Sequence, residues 1–371
     1  MNKIVEIWKY LANEFDDECL ADEILSFSVE IGCDFNDLGD FSSHPFMSSF
    51  PGLNVVLQKN NWKTKFVDCL TIKFICNLNL QSINLGDEGA IGIAKALETN
   101  TTIQKIDLSE NQIGDEGAVA IAKSLKTNTT LQEINLYENQ IGVEGALAIA
   151  EALKINSTLQ EINLGSNQIS DEGAIAIAKA LKINLSLQEI DLEGNQIGVE
   201  SGIAIAEALK INSTLREINL EYNAIGDEST RVIADALKIN STLQEINLST
   251  NEIGDEGAIA IADALKINST LQTINLEYNK IVGEGAIAIA DALKINSSLQ
   301  NINLGSNAIG ADGVIAIAEA LQINSTLREI NLGSNEIVGK GVIAIADAFI
   351  LSESRLKRHD TTSKMHKKSK F

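Results

Sequence analysis

The segment LQEINLSTNEIGDEGAIAIADALKINST, residues 243–270, decides the fold of this chain. In its first six residues, LQEINL, two apolar side chains flank a polar one, an alternation typical of a short strand with one buried face. From Gly254 to Lys266 acidic residues come first, and apolar residues then recur at three- and four-residue spacing, which indicates an amphipathic helix. The segment therefore predicts one strand followed by one helix.

The same pattern recurs with a fixed period of 28 residues. Nine full copies follow one another without insertion or deletion, starting at residues 103, 131, 159, 187, 215, 243, 271, 299 and 327. A degenerate copy precedes them, with Ile83 at the place of a recurring asparagine. One strand and one helix cannot bury their apolar faces alone, so the copies are expected to stack into a parallel sheet lined by helices.

The motif LxxLxLxxNxI, followed by GDEGA and an alanine-rich helix ending in LKxN, resembles the ribonuclease-inhibitor-like subclass of leucine-rich repeats. This subclass includes ribonuclease inhibitor, the sensing domains of NOD-like receptors and the Ran GTPase-activating protein. The resemblance implies an α/β solenoid, a horseshoe with the sheet on its concave face and helices on its convex face. It also implies that the concave face binds proteins. Ribonuclease inhibitor itself is a poor match, because these copies contain no cysteine and keep one length.

Composition divides the chain into three parts. Both tryptophans, both prolines and all four cysteines precede residue 77, which predicts an aromatic-rich capping domain at 1–74 before repeats at 75–354. Basic residues dominate 355–371, which predicts a disordered tail. Within the capping domain, LADEIL at 20–25 resembles the start of an F-box, with Ala21 in place of the usual proline.

The net charge of −22 over 371 residues limits the partners of this chain. So acidic a protein repels phosphate backbones and anionic lipid, so we expect no nucleic acid or membrane partner. A protein with a basic or neutral contact surface is favoured, and the chain itself is expected to be monomeric. We find no signal peptide and no long apolar stretch, so we expect a cytoplasmic location, or delivery into a host cell if the origin is bacterial.

The third residue of each copy is predicted to lie on the exposed face of the sheet. Five consecutive copies carry glutamate there, and we call these residues the acidic row: Glu133, Glu161, Glu189, Glu217 and Glu245. Neighbouring parallel strands lie about 4.8 Å apart, so adjacent carboxylates repel by roughly 1 kcal/mol in water. A cationic partner would relieve this repulsion. The alternative is that the glutamates recur only because the copies are duplicates.

The seventh and eighth residues of each copy, which we call the exit residues, vary between copies. Duplication cannot explain their differences, and tyrosine is enriched at interface hot spots. These positions complete the predicted partner-binding site with Tyr137, Glu193, Glu221, Tyr222, Glu277 and Tyr278. The alternative is that the tyrosines only cover neighbouring turns.

Two asparagine series receive structural interpretations. The first follows the strands, from Asn111 to Asn335, and is predicted to satisfy buried backbone groups where each strand ends. The second follows the helices, from Asn128 to Asn324, and is predicted to end them in a left-handed conformation.

No catalytic residue, cofactor site or metal site is predicted. The three histidines lie outside the repeats, and the cysteines form no CxxC pair. The sequence thus predicts a non-catalytic protein-interaction module. Two alternatives are a regulator of a small GTPase, resembling the Ran GTPase-activating protein, and an F-box-like substrate adaptor of a ubiquitin ligase.

Overall fold

A computed structural model describes residues 29–31, 53–56 and 76–348 of the chain. The chain divides into two compact units. The first unit contains the described residues up to Ile169 together with Ile183–Asp191, and the second contains Ser170–Lys182 and the described residues from Leu192 onward. Most of the predicted capping domain, including residues 20–25, and the whole predicted tail lie outside the described residues, so their boundaries stay predictions.

The first unit is a mostly parallel sheet whose strands alternate with helices. Strand β1 (Val29–Ile31) pairs antiparallel with β2 (Leu53–Val56), and β2 pairs in parallel with β3 (Asn77–Asn79). The parallel sheet continues through β4 (Lys105–Asp107), β5 (Glu133–Asn135), β6 (Glu161–Asn163) and β7 (Glu189–Asp191). Its helices are α1 (Gly86–Leu97), α2 (Asp115–Leu125) and α3 (Val143–Leu153).

The second unit repeats this alternation. Its helices are α4 (Ser170–Leu181), α5 (Val199–Leu209), α6 (Gly226–Leu237), α7 (Asp255–Leu265), α8 (Gly283–Leu293), α9 (Gly310–Leu321) and α10 (340–348). Its strands are β8 (Glu217–Asn219), β9 (Glu245–Asn247), β10 (Thr273–Asn275), β11 (Asn301–Asn303) and β12 (Glu329–Asn331), which pair in parallel in this order.

Strands β3 to β11 bury their middle residue and leave the residues on either side at the surface, whereas the middle residue of β12 is half-buried. In β9, Ile246 is fully buried, whereas Glu245 and Asn247 lie on the outer face. The helices bury their inner alanine, isoleucine and leucine residues against the strands, as Ala258, Ile261 and Leu265 of α7 do. The predicted alternation of strand and helix, and the faces they bury, are therefore confirmed.

The asparagines of the first series join each repeat to the one before it. The side-chain oxygen of Asn279 accepts hydrogen bonds from the backbone N–H groups of Asn251, at 3.1 Å, and Ile253, at 2.9 Å. Its amide nitrogen donates to the carbonyl oxygens of Leu248 and Leu276, both at 3.0 Å. Since Asn279 is buried, these bonds satisfy backbone groups that water cannot reach. The structural interpretation of this series is confirmed.

The prediction for the second asparagine series is wrong in its mechanism. Asn268 does not adopt a left-handed conformation, and its N–H group bonds to the carbonyl of Ala264 as in a helix. Its side chain instead donates to the carbonyl of Leu237, at 2.7 Å, and accepts from the N–H group of Leu271, at 2.7 Å. The amide thus caps the end of the previous repeat's helix and holds the segment that leads into the next strand.

An aspartate in the first turn of one helix caps the start of the next. The Asp227 Oδ1 atom accepts hydrogen bonds from the N–H groups of Gly254 and Gly257, both at 2.8 Å, at the beginning of α7. In other repeats the N–H group of the residue before the next helix makes the same bond, to Asp87, Asp115, Asp171 or Asp255. The carboxylate lies at the positive end of the following helix dipole, so the acidic residues of GDEGA act mainly across repeats.

This aspartate also decides how the next helix begins. Where it is present, the residue before the helix is extended, as at Gly254 (φ −98°) and Val282 (φ −112°). Among the repeats that precede another described helix, four carry another residue there: Val143, Val199, Gly283 and Ala311. After Val199 and Gly283 the next helix begins with left-handed Gly226 (φ 64°) and Gly310 (φ 68°). Without a carboxylate to accept it, the N–H group of Gly226 bonds to the carbonyl of Asn251 in the following repeat, at 2.9 Å.

Replacing Asn279 with alanine should destabilise the second unit by about 2–4 kcal/mol, since buried donors and acceptors lose their partners. Urea denaturation of both proteins checks this. Asn247→Ala is the matched control, because Asn247 lies on the exposed face and holds one backbone N–H group, that of Ser249. An equal loss in the two variants would contradict the role given to the buried series.

Asp227→Ala should destabilise the protein by about 1–2 kcal/mol, because two N–H groups at the start of α7 lose their acceptor. Glu228→Ala removes the adjacent, exposed acidic side chain and should change stability by less than about 0.5 kcal/mol. Thermal unfolding of the two variants separates the cap from a general charge effect. Equal losses would mean that the aspartate acts through charge alone.

Candidate protein-interaction site

The first unit holds three members of the acidic row on adjacent strands. Glu133, Glu161 and Glu189 are aligned by the pairing of β5, β6 and β7, and all three are half-buried. Lys105 on β4 forms an ion pair with Glu133. One of the three charges, that of Glu133, is therefore paired within the protein.

The second unit holds the other two members, Glu217 and Glu245, which are paired neighbours on β8 and β9 and are exposed. Partial burial of its carboxylate raises the pKa of Glu245, and the negative charge of Glu217 raises that pKa further. Thr273 and Asn301 occupy the same position on the next two strands. Within the second unit the repulsion is thus confined to one pair of carboxylates, which a cation would stabilise.

The asparagines at the fifth position of the copies close the strand exits. The Asn247 Oδ1 atom accepts a hydrogen bond from the N–H group of Ser249 at 3.0 Å, and Asn219 and Asn275 make the same bond to the exit residues Glu221 and Glu277. This local bond bends the chain out of the strand. These asparagines therefore shape the face and hold the exit residues in position.

Three predicted site glutamates at the exits have partners in the next repeat. The Asn247 amide donates to Glu221 at 2.8 Å, the Asn303 amide donates to Glu277 at 2.9 Å, and Asn219 makes a longer bond of 3.5 Å to Glu193. These carboxylates are half-buried. They are consequently fixed in orientation and serve the packing of the repeats as well as any partner.

The three predicted tyrosines fall into two classes. Tyr137 is half-buried, and a Cβ atom at Gly165 in the next repeat would lie 3.0 Å from its ring. Tyr137 therefore covers a neighbouring turn, as the alternative interpretation predicts. Tyr222 and Tyr278 are 69% and 62% exposed, one position later in their copies.

Tyr222 and Tyr278 also hold a strained backbone, with φ of 53° and 51°. The eighth residue of all nine full copies lies in this left-handed region, where a side chain costs about 1–2 kcal/mol relative to glycine. Gly194 and Ser306 occupy the position in other copies. The repeat imposes this conformation whichever residue is present, so the turn itself does not require an aromatic side chain.

Two surfaces of the described residues were not predicted from the sequence. The second residue after most helices is an isoleucine that is more than half exposed: Ile155 and Ile183 in the first unit, and Ile211, Ile239, Ile267, Ile295 and Ile323 in the second. A polar groove of about 510 Å³ in the first unit is lined by serine, threonine and glutamine and by the exposed Leu185. The sequence signals this groove only through Leu185, which stands where most other copies carry serine or threonine.

The part of the chain that the structure describes has no group of three or more histidine, cysteine or acidic residues able to hold a metal ion. None of its helices combines the length and the apolar character needed to cross a bilayer.

The repeats match a family model described as Leucine Rich repeat. The nine matched segments are residues 99–122, 127–150, 156–178, 184–206, 212–234, 240–262, 268–290, 296–318 and 324–346. This chain belongs to the leucine-rich repeat family. Membership confirms the resemblance to the ribonuclease-inhibitor-like subclass and the α/β solenoid class, and leucine-rich repeats indicate a protein-interaction scaffold.

Solved structures of other leucine-rich repeat proteins resemble this one, and no curated protein matches its sequence. The structure titled actin-binding site 2 of leiomodin-1 has 23% identity and a TM-score of 0.36, over 46% of this chain and 97% of that one. The tropomodulin C-terminal domain of Caenorhabditis elegans has 16% identity and a TM-score of 0.35, over 44% and 98%. The leucine-rich repeat-containing protein LegL7 of Legionella pneumophila has 18% identity and a TM-score of 0.48, over 81% and 98%.

Glu217→Gln should lower the pKa of Glu245 toward its ordinary value, since it removes the neighbouring negative charge but not the partial burial. A raised carboxyl pKa in the folded state disfavours folding at neutral pH and has no effect below the unfolded-state pKa, near 4. The variant should therefore gain about 0.2–0.5 kcal/mol at pH 7 and lose this gain toward pH 4. NMR titration of Glu245 and thermal unfolding at both pH values check this, with Glu228→Gln as the control. An unchanged Glu245 titration would contradict the coupling.

Proposed function

We propose that this leucine-rich repeat protein is a non-catalytic interaction module, and that the outer strand face of its second unit binds a basic surface of a partner protein. The observation that carries the proposal is the presence of two exposed tyrosines, Tyr222 and Tyr278, in strained backbone positions beside fixed carboxylates. The left-handed backbone recurs in every full copy, so what distinguishes these two positions is the exposed aromatic ring, a side chain enriched at interface hot spots.

The chemistry of the exits suits an arginine or a lysine. Glu221 and Glu277 directly precede the two tyrosines, and the amides of Asn247 and Asn303 hold their carboxylates in place. A guanidinium group stacks on an aromatic ring and pairs with a carboxylate at the same time. Each exit therefore offers both parts of a cation-binding contact, and its carboxylate is held in place before the partner arrives.

The exposed pair of the acidic row adds a second attraction. Glu217 and Glu245 repel each other, and a cationic side chain placed over them would replace that repulsion with attraction. Exposed carboxylates of this kind steer a basic partner and fix its register, and their effect weakens as salt increases.

The proposal gives the acidic residues no catalytic role. They lie on an open face and not in a desolvated pocket, which a tuned general acid needs. Regulation of a small GTPase, the F-box-like adaptor and a cytoplasmic location stay predictions of the sequence, and residues 20–25 lie outside the described part of the chain.

Replacing Tyr222 and Tyr278 together with serine should weaken partner binding at least tenfold, since hot-spot residues each contribute about 2 kcal/mol or more. The fold should be retained, because Ser306 and Ser334 occupy this position naturally with φ of 52° and 55°. Partners captured from a lysate by the wild-type protein are identified, and their purified forms are titrated against each variant by calorimetry at two salt concentrations.

Glu217→Lys with Glu245→Lys should weaken the same partner, whereas Glu200→Lys with Glu228→Lys should not. The second pair makes the same change of charge at exposed glutamates in the first turns of α5 and α6, away from the strand face. Equal weakening by both pairs would mean that only net charge matters. Full binding by the folded tyrosine variant would exclude the exits as the site.

A further inference from the structure

The last repeat of the second unit exposes residues that every earlier full copy buries. Val342 of α10 is 54% exposed, whereas Val314, one period earlier in α9, is fully buried. Leu327, Ile330, Leu332 and Ile337 are only half-buried, although the residues 28 positions earlier are at most 2% exposed. We call this surface, formed by these five residues with Ile345 and Ala346, the end face.

A further repeat of this chain does not cover the end face. One period after Leu327, Ile330, Leu332 and Asn335 stand Arg355, Arg358, Asp360 and Ser363. Three of these are charged and cannot be buried against an apolar surface without partners. The 28-residue pattern therefore stops at this repeat, and its apolar side requires a different cover.

The sheet edge makes the same demand. Strand β12 pairs with β11 on one side and is the last strand of the sheet among the described residues. An edge strand presents unpaired N–H and carbonyl groups and invites another strand. A subunit interface can cover both features at once, the unpaired side of β12 and the exposed apolar residues beside it.

We propose that the end face binds the end face of a second copy of this chain, forming a two-fold symmetric dimer. A two-fold axis through Ile330 would pair the two β12 strands antiparallel, with Glu329 of each copy opposite Asn331 of the other, so that like charges do not meet. Side chains of both charges lie at the border of the end face: Arg328 and Lys340 are positive, and Glu329 and Glu336 are negative. The same apolar surface on both copies is self-complementary, as a two-fold interface needs.

This proposal replaces the monomer expected from the sequence and does not depend on the proposed partner-binding site. Two copies of a chain with a net charge of −22 repel each other. Dimerisation should therefore strengthen as salt rises from about 0.02 M to 0.15 M, because the repulsion is screened while the apolar contact is not. Binding of a basic partner to the strand face should weaken over the same range.

Sedimentation equilibrium of the full chain over a range of concentrations tests the proposal. Val342→Lys and, separately, Ala346→Lys should weaken the dimer at least tenfold, since each places an unpaired charge in the interface. Ile267→Lys makes the same kind of change at a residue that is 64% exposed in an interior repeat, and it should leave the dimer unchanged. Circular dichroism verifies the fold of each variant.

Three outcomes would overturn the proposal. A wild-type chain that stays monomeric at every concentration would mean that residues 349–351, the apolar Phe-Ile-Leu that follows α10, or solvent covers the end face. A dimer that both folded lysine variants preserve would lie elsewhere. Assemblies that grow beyond two copies would indicate head-to-tail contact through a different surface.

Discussion

The buried asparagine after each strand is the interaction on which the other features depend. It accepts N–H groups of the preceding repeat and donates to carbonyl groups of both repeats, so the N–H groups of each turn find their acceptor only in the following repeat. An unpaired buried amide costs about 1–3 kcal/mol, and this penalty recurs in every copy. The repeats must therefore stack in one register, and an insertion of a single residue would break two sets of bonds. The nine copies keep one length and so satisfy this constraint throughout.

The same dependence on neighbours separates what could be predicted from what could not. Strand, helix and core follow from periodicity within one copy, and Leu243, Ile246 and Leu248 are buried as that periodicity requires. The start of a helix depends on a residue of the preceding copy. Gly226 turns left-handed because Val199 offers no acceptor, whereas Gly254 stays extended because Asp227 does. The residues of one copy alone do not show whether this glycine is left-handed or extended. An alignment of adjacent copies does, because it shows whether the preceding copy carries the aspartate.

The candidate site shows this limit at the level of single side chains. The acidic row was placed on the correct face, because alternation along a strand is a local property. Its partial neutralisation by Lys105 depends on a residue 28 positions away, and the fixing of Glu221 depends on Asn247, 26 positions away. Tyr137 and Tyr222 differ by one place in their copies. The seventh position points toward the next repeat, and the left-handed eighth position turns its side chain to solvent.

In duplicated repeats, a residue that recurs for its function is hard to distinguish from one that was merely copied. Positions where two adjacent copies differ together from the other copies help to make this distinction. Tyr137 is followed one repeat later by Gly165, the residue that leaves room for its ring. Glu277 is followed by Gly305, where a Cβ atom would lie 3.0 Å from its carboxylate, and Glu221 is followed by Ser249, which donates to it at 3.4 Å. Each change at an exit is accommodated by its neighbour, so the exits have diversified under a packing constraint. In the acidic row, Lys105 of the preceding repeat pairs with Glu133, whereas Glu217 and Glu245 are exposed. The exit residues differ between copies and need matching changes in the next repeat, whereas the glutamates of the acidic row recur unchanged. We take the varied exit residues as the stronger support for a binding role, and this favours the exits of the second unit in the proposed interaction.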